Sequence, residues 1–324
     1  MSMNRRTLLA AGFAAPFARA HAQAAWAPNR PIRFIVPFVA GGSTDVAARI
    51  IADRMGETLG QPVVVENRGG SGGNIGGDIV AKAPPDGHTI LMGVTGLLST
   101  NRHIYRQMPF DPDRDLAPVS MAYTADMAIV VTNGLPVRTL AEFVALAKAN
   151  PGKYSFGSSG HGASTHTAAE LFRLAAGIDM VHVPYRGSGA AMNDLVAGNI
   201  EMMLVQIAGA AGNIRANQIR ALAATGPRRH ALIPDVPSIA EAGYPQAEAT
   251  SWGCVMVPAG TPAPVVLRLS QSVQDAVAHP PVAQRLERAG VDGAASSPEQ
   301  LAAFIRSEGE KWGRVVREAG IRVE

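Results

Sequence analysis

Cysteine, aromatic residues and charge are all scarce in this sequence, and each scarcity removes a class of function. Cys254 is the only cysteine, so no internal disulfide can form. It lies in the strand-like segment 251–257 with no base visible beside it, which reads as a buried structural thiol. Aromatic residues make up 5% of the 324-residue chain, too few for broad nucleic-acid stacking surfaces. Charged residues are 17% against 47% hydrophobic, a balance that builds cores and argues against disorder. Beyond the first residues no apolar run reaches membrane-spanning length.

The N-terminus has the marks of an export signal. Arg5 and Arg6 precede an apolar stretch, 7–17, and Ala20-His21-Ala22 and Ala22-Gln23-Ala24 offer small-x-small cleavage sites. Residues 1–24 are therefore expected to be a cleavable signal peptide. The paired arginines followed by Thr7-Leu8-Leu9 also resemble a twin-arginine signal, so Sec and Tat export both stay open. The first 22 residues hold Arg5, Arg6 and Arg19 and no acid; without them 26 Lys and Arg face 26 Asp and Glu. The formal charge of +3 on the full chain thus gives no reason to expect a nucleic-acid partner.

Strand and helix patterns alternate along the rest. Strands are expected at 32–38, 63–65 and 89–92, with helices at 43–59 and 74–82. The middle of the chain repeats the alternation: helix 139–149, strand 154–156, helix 165–176, strand 180–183, helix 189–197, then strands 202–205 and 219–224. Three helices close the chain, at 262–278, 281–289 and 298–319. This predicts an α/β fold with a mainly parallel sheet covered on both faces. The strand-like runs 121–132 and 248–257 flank the middle block, as two crossings between domains would. One lobe is expected from 25–125 and 247–324, and a second from 126–246.

Three strand-to-helix turns are rich in small donors. Ala40-Gly41-Gly42-Ser43-Thr44-Asp45 opens a helix. Its glycines permit close backbone approach, and the first N–H groups of a helix attract an anion. An ordinary cap and tight turn would read the same way, and both readings stand at this point. Gly157 to Thr165 is a second such turn, and Pro184 to Gly189 a third, where Arg186 reads more readily as a solvated surface group. Ligands of open α/β sheets bind beyond the carboxyl ends of strands, so the three turns fit one cleft between lobes.

Other motifs carry less. Gly69-Gly70-Ser71-Gly72-Gly73 matches the hydrolase pattern G-x-S-x-G, but a glycine run matches it cheaply; a serine hydrolase using Ser71 is kept as a rival. Ile75 stands where a dinucleotide fingerprint needs glycine, and no P-loop lysine follows. His161 and His166 are five apart, not the four that puts two ligands on one helix face. His161 is expected on a loop and His166 at a helix start, with no metal site. Asp111, Asp113 and Asp115 lack the glycine and distal glutamate of a calcium loop and read as a solvated loop.

Taken in order, a longer series of segments is distinctive. It runs from Pro31-Ile32-Arg33-Phe34-Ile35-Val36-Pro37-Phe38 through Gly41-Gly42-Ser43-Thr44-Asp45 and Gln61-Pro62-Val63-Val64-Val65-Glu66-Asn67-Arg68. Gly72-Gly73-Asn74-Ile75-Gly76, Ala83-Pro84-Pro85-Asp86-Gly87 and Tyr154-Ser155-Phe156-Gly157-Ser158 follow. His182-Val183-Pro184-Tyr185-Arg186-Gly187, Leu232-Ile233-Pro234-Asp235-Val236-Pro237-Ser238 and Pro258-Ala259-Gly260-Thr261-Pro262 complete it. Together they resemble the substrate-binding receptors of tripartite tricarboxylate transporters, the Bug-type receptors.

The resemblance implies a type II periplasmic-binding-protein fold of two α/β lobes joined by a hinge. It implies a periplasmic monomer, without cofactor or turnover, that captures a small carboxylate. Its partners would be the transporter's membrane permease subunits or, alternatively, a sensor protein. Carried onto this chain, the ligand-binding positions are Gly42, Ser43, Thr44 and Asp45, with Thr95, Ser158, Ser159 and Ser164. Relatives carry an acid and an asparagine after the strand 202–204, where this chain has Val205 and Gln206. Gln206 is counted with the site. Val205, if it faced the ligand, would favour an acid with an apolar part.

Overall fold

A computed structural model describes residues 26–322; the expected signal peptide lies outside the described residues. The first block forms β1 (Ile32–Val36), α1 (Ser43–Leu59), β2 (Val63–Asn67), α2 (Asn74–Ala81), β3 (Thr89–Val94) and the short α3 (Asn101–Ile104). A long strand, β4 (Leu116–Thr132), leads into α4 (Leu140–Lys148), β5 (Ser155–Ser158), α5 (Ser164–Ala176) and β6 (Val181–Pro184). Then come α6 (Ser188–Ala197), β7 (Met202–Gln206), α7 (Ile207–Arg215) and β8 (Ile219–Ala224). The chain returns through β9 (Thr250–Pro258) to α8 (Ala263–Ala278), α9 (Pro280–Arg288), the two-residue β10 (Asp292–Gly293) and α10 (Pro298–Ala319).

Strand order in the sheet is β2-β1-β3-β9-β4-β7-β5-β6, with β8 and β10 also on β4. β1 pairs in parallel with β2 and β3, and β5 with β6 and β7. Each group is the parallel strand–helix unit that the alternation predicted. What joins them is antiparallel. The first part of β4 pairs with β9 from Leu116↔Pro258 to Asp126↔Thr250. The rest of β4 pairs with β7 and β8. One strand therefore belongs to two cores. Val119, Ala122 and Ala125 pack with Phe34, Ile51 and Leu269. Met127, Ile129 and Val131 pack with Phe143, Phe156 and Phe172.

The last helix ties the same two cores. Leu301 and Ile305 of α10 pack with Trp252 and Leu91, whereas Trp312 and Val315 pack with Phe172. At the crossing, Glu308 is buried. Its Oε2 accepts from Trp252 Nε1 at 2.9 Å and from Trp312 Nε1 at 2.7 Å, and Lys311 Nζ lies 3.5 Å from Oε1. Each indole N–H has lost water on burial and needs this acceptor. Helices α4 and α10 open with complete capping boxes, Thr139 with Glu142 and Ser297 with Gln300. Cys254 is fully buried between Gly93 and Met121, and burial pushes its thiol pKa up, which fits an inert packing role.

Two outcomes follow from this packing. Glu308→Ala orphans two buried indole donors and should lower unfolding free energy by about 2–4 kcal/mol in urea denaturation; Glu308→Gln, which keeps an acceptor, should lose less than half of that. On the edge, Arg33 holds Glu66 by two bonds, at 2.7 and 3.0 Å, with Arg68 at 3.2 Å. The Arg33 hydrogen bonds foremost bring the Glu66 pKa down from 4.5 to about 2. Stability from this pair is present at neutral pH and lost as pH falls from about 4.5 towards about 2. Glu66→Gln should therefore be less stable than the parent at pH 7 by about 1 kcal/mol or less, with the gap closing in acid.

Candidate functional site

Five helices open beside one cavity of about 420 Å³. Thr44 lies in the first turn of α1, Gly72 just before α2, and Ser164 and Thr165 in the first turn of α5; Ser188 begins α6 and Gln206 caps α7. None of these five helices has a side-chain cap. Their first N–H groups lack intrahelical partners, and each helix end carries a partial positive charge. Among the described residues, the complete capping boxes belong to α4 and α10, whose N-terminal residues do not line this cavity. No Lys, Arg, Asp or Glu lines it either. The wall is hydroxyl, amide, phenol and the His161 imidazole, with Phe38 and Val94 among its apolar contacts.

The turn before α1 is shaped by Asp45. Gly41 has φ +90°, a conformation glycine adopts readily. The Asp45 carboxylate accepts from Gly41 N–H at 2.9 Å, Asn67 Nδ2 at 2.9 Å and Arg49 NH2 at 3.0 Å. Burial alone would raise its pKa, but the hydrogen bonds from Arg49, Gly41 and Asn67 outweigh it and hold the group below the usual carboxylate range. Asp45 is 3% exposed and does not line the cavity. It fixes the turn from behind. Gly42 stands at the N-cap of α1 and, like Ser43, does not line the cavity. Ser43 donates to Gln206 Oε1 at 3.2 Å, a bond from the α1 turn to the end of β7. Thr44 Oγ1 accepts from Tyr123 Oη at 3.0 Å.

Thr95 lines the cavity and its Oγ1 accepts from Trp252 N–H at 3.1 Å. Ser159 and Ser164 line it from the second lobe, and Thr165 Oγ1 accepts from Ser159 N–H at 3.0 Å. Ser158 does not reach the cavity. It is fully buried, with its hydroxyl 2.7 Å from His182 Nε2. This pair has no carboxylate orienting the imidazole, and burial, then the charges of His166 and His161, push the His182 pKa down to about 3. Ser71 gains no base: among the described residues no histidine or carboxylate hydrogen-bonds its hydroxyl. Arg186 is exposed and outside the cavity wall.

The condition attached to Val205 is not met. Val205 is 3% exposed and packs with Ala128, Met203 and Ile207, so it does not line the cavity. β-strand alternation explains this: Gln206 at the strand end turns to the cleft, and its neighbour must turn away. The inference of an apolar ligand from Val205 falls with it. Residues not anticipated include Asn101 and Tyr105, which follow a π-type turn at Gly96–Thr100, and Tyr123 and Ser251 on the crossing strands. The turn before α5 brings a further group together. His161, His166 and His182 offer ring nitrogens within 4.8 Å of one another, although His161 and His166 lack the spacing of a metal pair.

A second cavity, of about 580 Å³, is lined by Thr124, Asp126, Thr250 and Trp252 together with Arg228 and Glu287. Tyr123 and Ser251, the neighbours of these residues, line the first cavity. Successive side chains of a strand face opposite sides, so the β4–β9 ribbon is a wall with one cavity on each face.

Comparison with known proteins agrees with this architecture. Residues 47–321 match the family model described as "Tripartite tricarboxylate transporter family receptor". The chain is similar to the "UPF0065 protein in tcbD-tcbE intergenic region" of Pseudomonas sp. strain P51, 45% identical over 90% of this chain and 87% of that one. It is similar to BugT of Bordetella pertussis, 36% identical over 92% and 91%. Among solved structures it resembles Rpa4515 of R. palustris with adipate, at TM-score 0.81, 35% identity, and 91% and 99% coverage. It also resembles MatC of Rhodopseudomonas palustris with bound malate, at TM-score 0.77, 31% identity, and 89% and 99% coverage. Family and fold point to a binding protein rather than an enzyme. With two α/β units about a shared ribbon and the family model matching residues 47–321, this chain belongs to the tripartite tricarboxylate transporter receptor family.

Proposed function

We propose that this chain is a periplasmic receptor that holds a small carboxylate between its lobes and presents it to the membrane subunits of a tripartite transporter. The observation that carries the reading is the set of uncapped helix N-termini at one cavity whose wall has no carboxylate and no fixed cation. An anion there is stabilised by backbone N–H groups and hydroxyls, which suits reversible capture better than a buried ion pair would. The adipate in Rpa4515 and the malate in MatC support the ligand class. Thr44, Thr95, Ser159, Ser164 and Gln206 line the cavity and are the proposed contacts, with Gly42 and Ser43 contributing from the α1 turn beside it. Asp45 and Ser158 act by shaping the two turns. The export-type N-terminus supports the periplasmic location, and the transporter partnership rests on the family.

Thermal unfolding of the mature chain, refolded to strip carried-over ligand, tests the reading against mono-, di- and tricarboxylates and their neutral amides. A ligand of the folded state raises the melting temperature by mass action. One carboxylate class should raise it, and Ser164→Ala should weaken that ligand about tenfold by removing one hydrogen bond to a charged group. Stabilisation by neutral amides alone would overturn the carboxylate claim. Asp45→Asn should behave differently: it should lower the stability of the ligand-free protein by about 1–3 kcal/mol and weaken binding through the loosened turn, whereas Ser164→Ala leaves ligand-free stability nearly unchanged.

A further inference from the structure

Among the described residues, His161 is the only side chain in the wall of the first cavity that can carry a positive charge. The two phenols there, Tyr105 and Tyr123, are both pushed up by burial, Tyr123 to about 12, and stay neutral near physiological pH. His161 sits on the second-lobe turn between Gly160 (φ +135°) and Gly162 (φ +72°). That turn is not free to drift. A Cβ on Gly162 would lie 2.2 Å from Ile104 Cδ1 of the first lobe, so the backbone packs directly on the other side of the cleft. Gly162 N–H also donates to His166 Nδ1 at 3.0 Å. The imidazole is thus an exposed group on a braced loop, across the cavity from the α1 turn.

Behind it lie His166 on α5 and His182 on β6. Their rings stack at 3.7 Å and 8°, and His161 meets both edge-on, at 5.7 Å and 5.1 Å. Three ring nitrogens so close invite a metal, but the stacking opposes it. A coordinated ion lies in the plane of each imidazole, and two nearly parallel planes this far apart share no such point. The inner nitrogens are also engaged, His166 Nδ1 by Gly162 and His182 Nε2 by Ser158. The other charged groups near the cluster are Glu170, 3.8 Å from His166, and Arg173, which holds Glu170 at 2.6 Å. Glu170 supplies negative charge behind the stack, and His182 remains neutral because burial and its two histidine neighbours oppose its protonation. A proton on His161 therefore meets an uncharged His182 and a carboxylate further back.

We infer that His161 is a specificity residue: its imidazolium pairs with the second carboxylate of a dicarboxylate whose first carboxylate lies at the helix N-termini. This rests on the carboxylate reading above and adds the ligand's second charge. It also fixes a pH sense. An imidazole bears charge only when protonated, so such a pair weakens as pH rises.

Isothermal titration of the refolded mature chain tests it with the saturated dicarboxylates from malonate to adipate, each beside its monoamide, at about pH 6 and about pH 8.5. At the lower pH the best diacid should bind about tenfold or more tighter than its monoamide, the worth of one charge-assisted pair. This preference should shrink several-fold at the higher pH. In His161→Gln it should be small and the same at both pH values, and in His161→Lys it should return and persist at the higher pH, where lysine stays charged. An undiminished preference in His161→Gln overturns the inference, as does a pH-independent one in the parent. Monocarboxylate binding without any diacid binding overturns it too. Binding that requires added zinc and is abolished by a chelator assigns the three histidines to metal instead. If no carboxylate of either kind binds, the carboxylate reading itself falls and takes this inference with it.

Discussion

The two-strand ribbon of β4 and β9 is the constraint on which the rest of the molecule depends. β4 pairs with β7 of one parallel unit and with β9, and β9 pairs with β3 of the other; the register of β4 with β9 fixes which side chains face which cavity. Tyr123 and Ser251 look into the helix-lined cavity; Thr124, Asp126, Thr250 and Trp252 look the other way. A ribbon that bends to close the lobes on one face must open them on the other. The bond from Ser43 to Gln206 spans the cleft while the opposite cavity stays wide. A one-residue slip between these strands would exchange the two faces, and bulges at Pro118/Ser120 and Met121/Tyr123 set the register locally.

The helix ends show how such a site is made without buried charge. A Ser, Thr, Asp or Asn cap would satisfy the first N–H groups and stabilise each helix by about 1 kcal/mol. Gly42, Gly73, Ala163, Gly187 and Gln206 stand at those cap positions instead, with no side-chain cap bond. Away from the cavity, Thr139 and Ser297 form full capping boxes. α8 and α9 also lack a side-chain cap but open with proline, which removes one of the first N–H donors, whereas the helices at the cavity leave theirs in place. Local stability is given up at the place where function needs unsatisfied groups, a conflict expected at binding sites.

Much of this was legible before the structure. Strand–helix alternation is a local signal, and most elements fall within one or two residues of the pattern, because apolar period and glycine or proline punctuation act over short range. The turns at Gly41 and Gly157 were legible for a topological reason: they follow parallel strands, and strand ends are where clefts form. What stayed hidden depends on the direction of single side chains. Asp45 sits inside the most suggestive motif, yet turns inward to Gly41, Asn67 and Arg49. Ser158 and Ser159 are adjacent and identical, yet only the second reaches the cavity. α7 escaped because Gly209 and Gly212 weaken its helical pattern. Tyr123, Ser251 and the partnership of His182 with His161 and His166 arise from pairings between distant segments, which no local window contains.

The site and the ribbon are also joined by a single contact. Tyr123 Oη donates to Thr44 Oγ1 in the first turn of α1, and the Tyr123 ring lies over Gly253, where a Cβ would come within 2.2 Å of it. Tyr123 and Gly253 are register partners on the two crossing strands. The ring occupies the space that a side chain at position 253 would need, and its buried hydroxyl finds its acceptor on Thr44. Tyr123 thus links the first turn of α1 to the crossing of β4 and β9. A ligand held at Thr44 would bear on Tyr123 and through it on this crossing, which is the kind of differential contact that a coupling between binding and lobe movement requires.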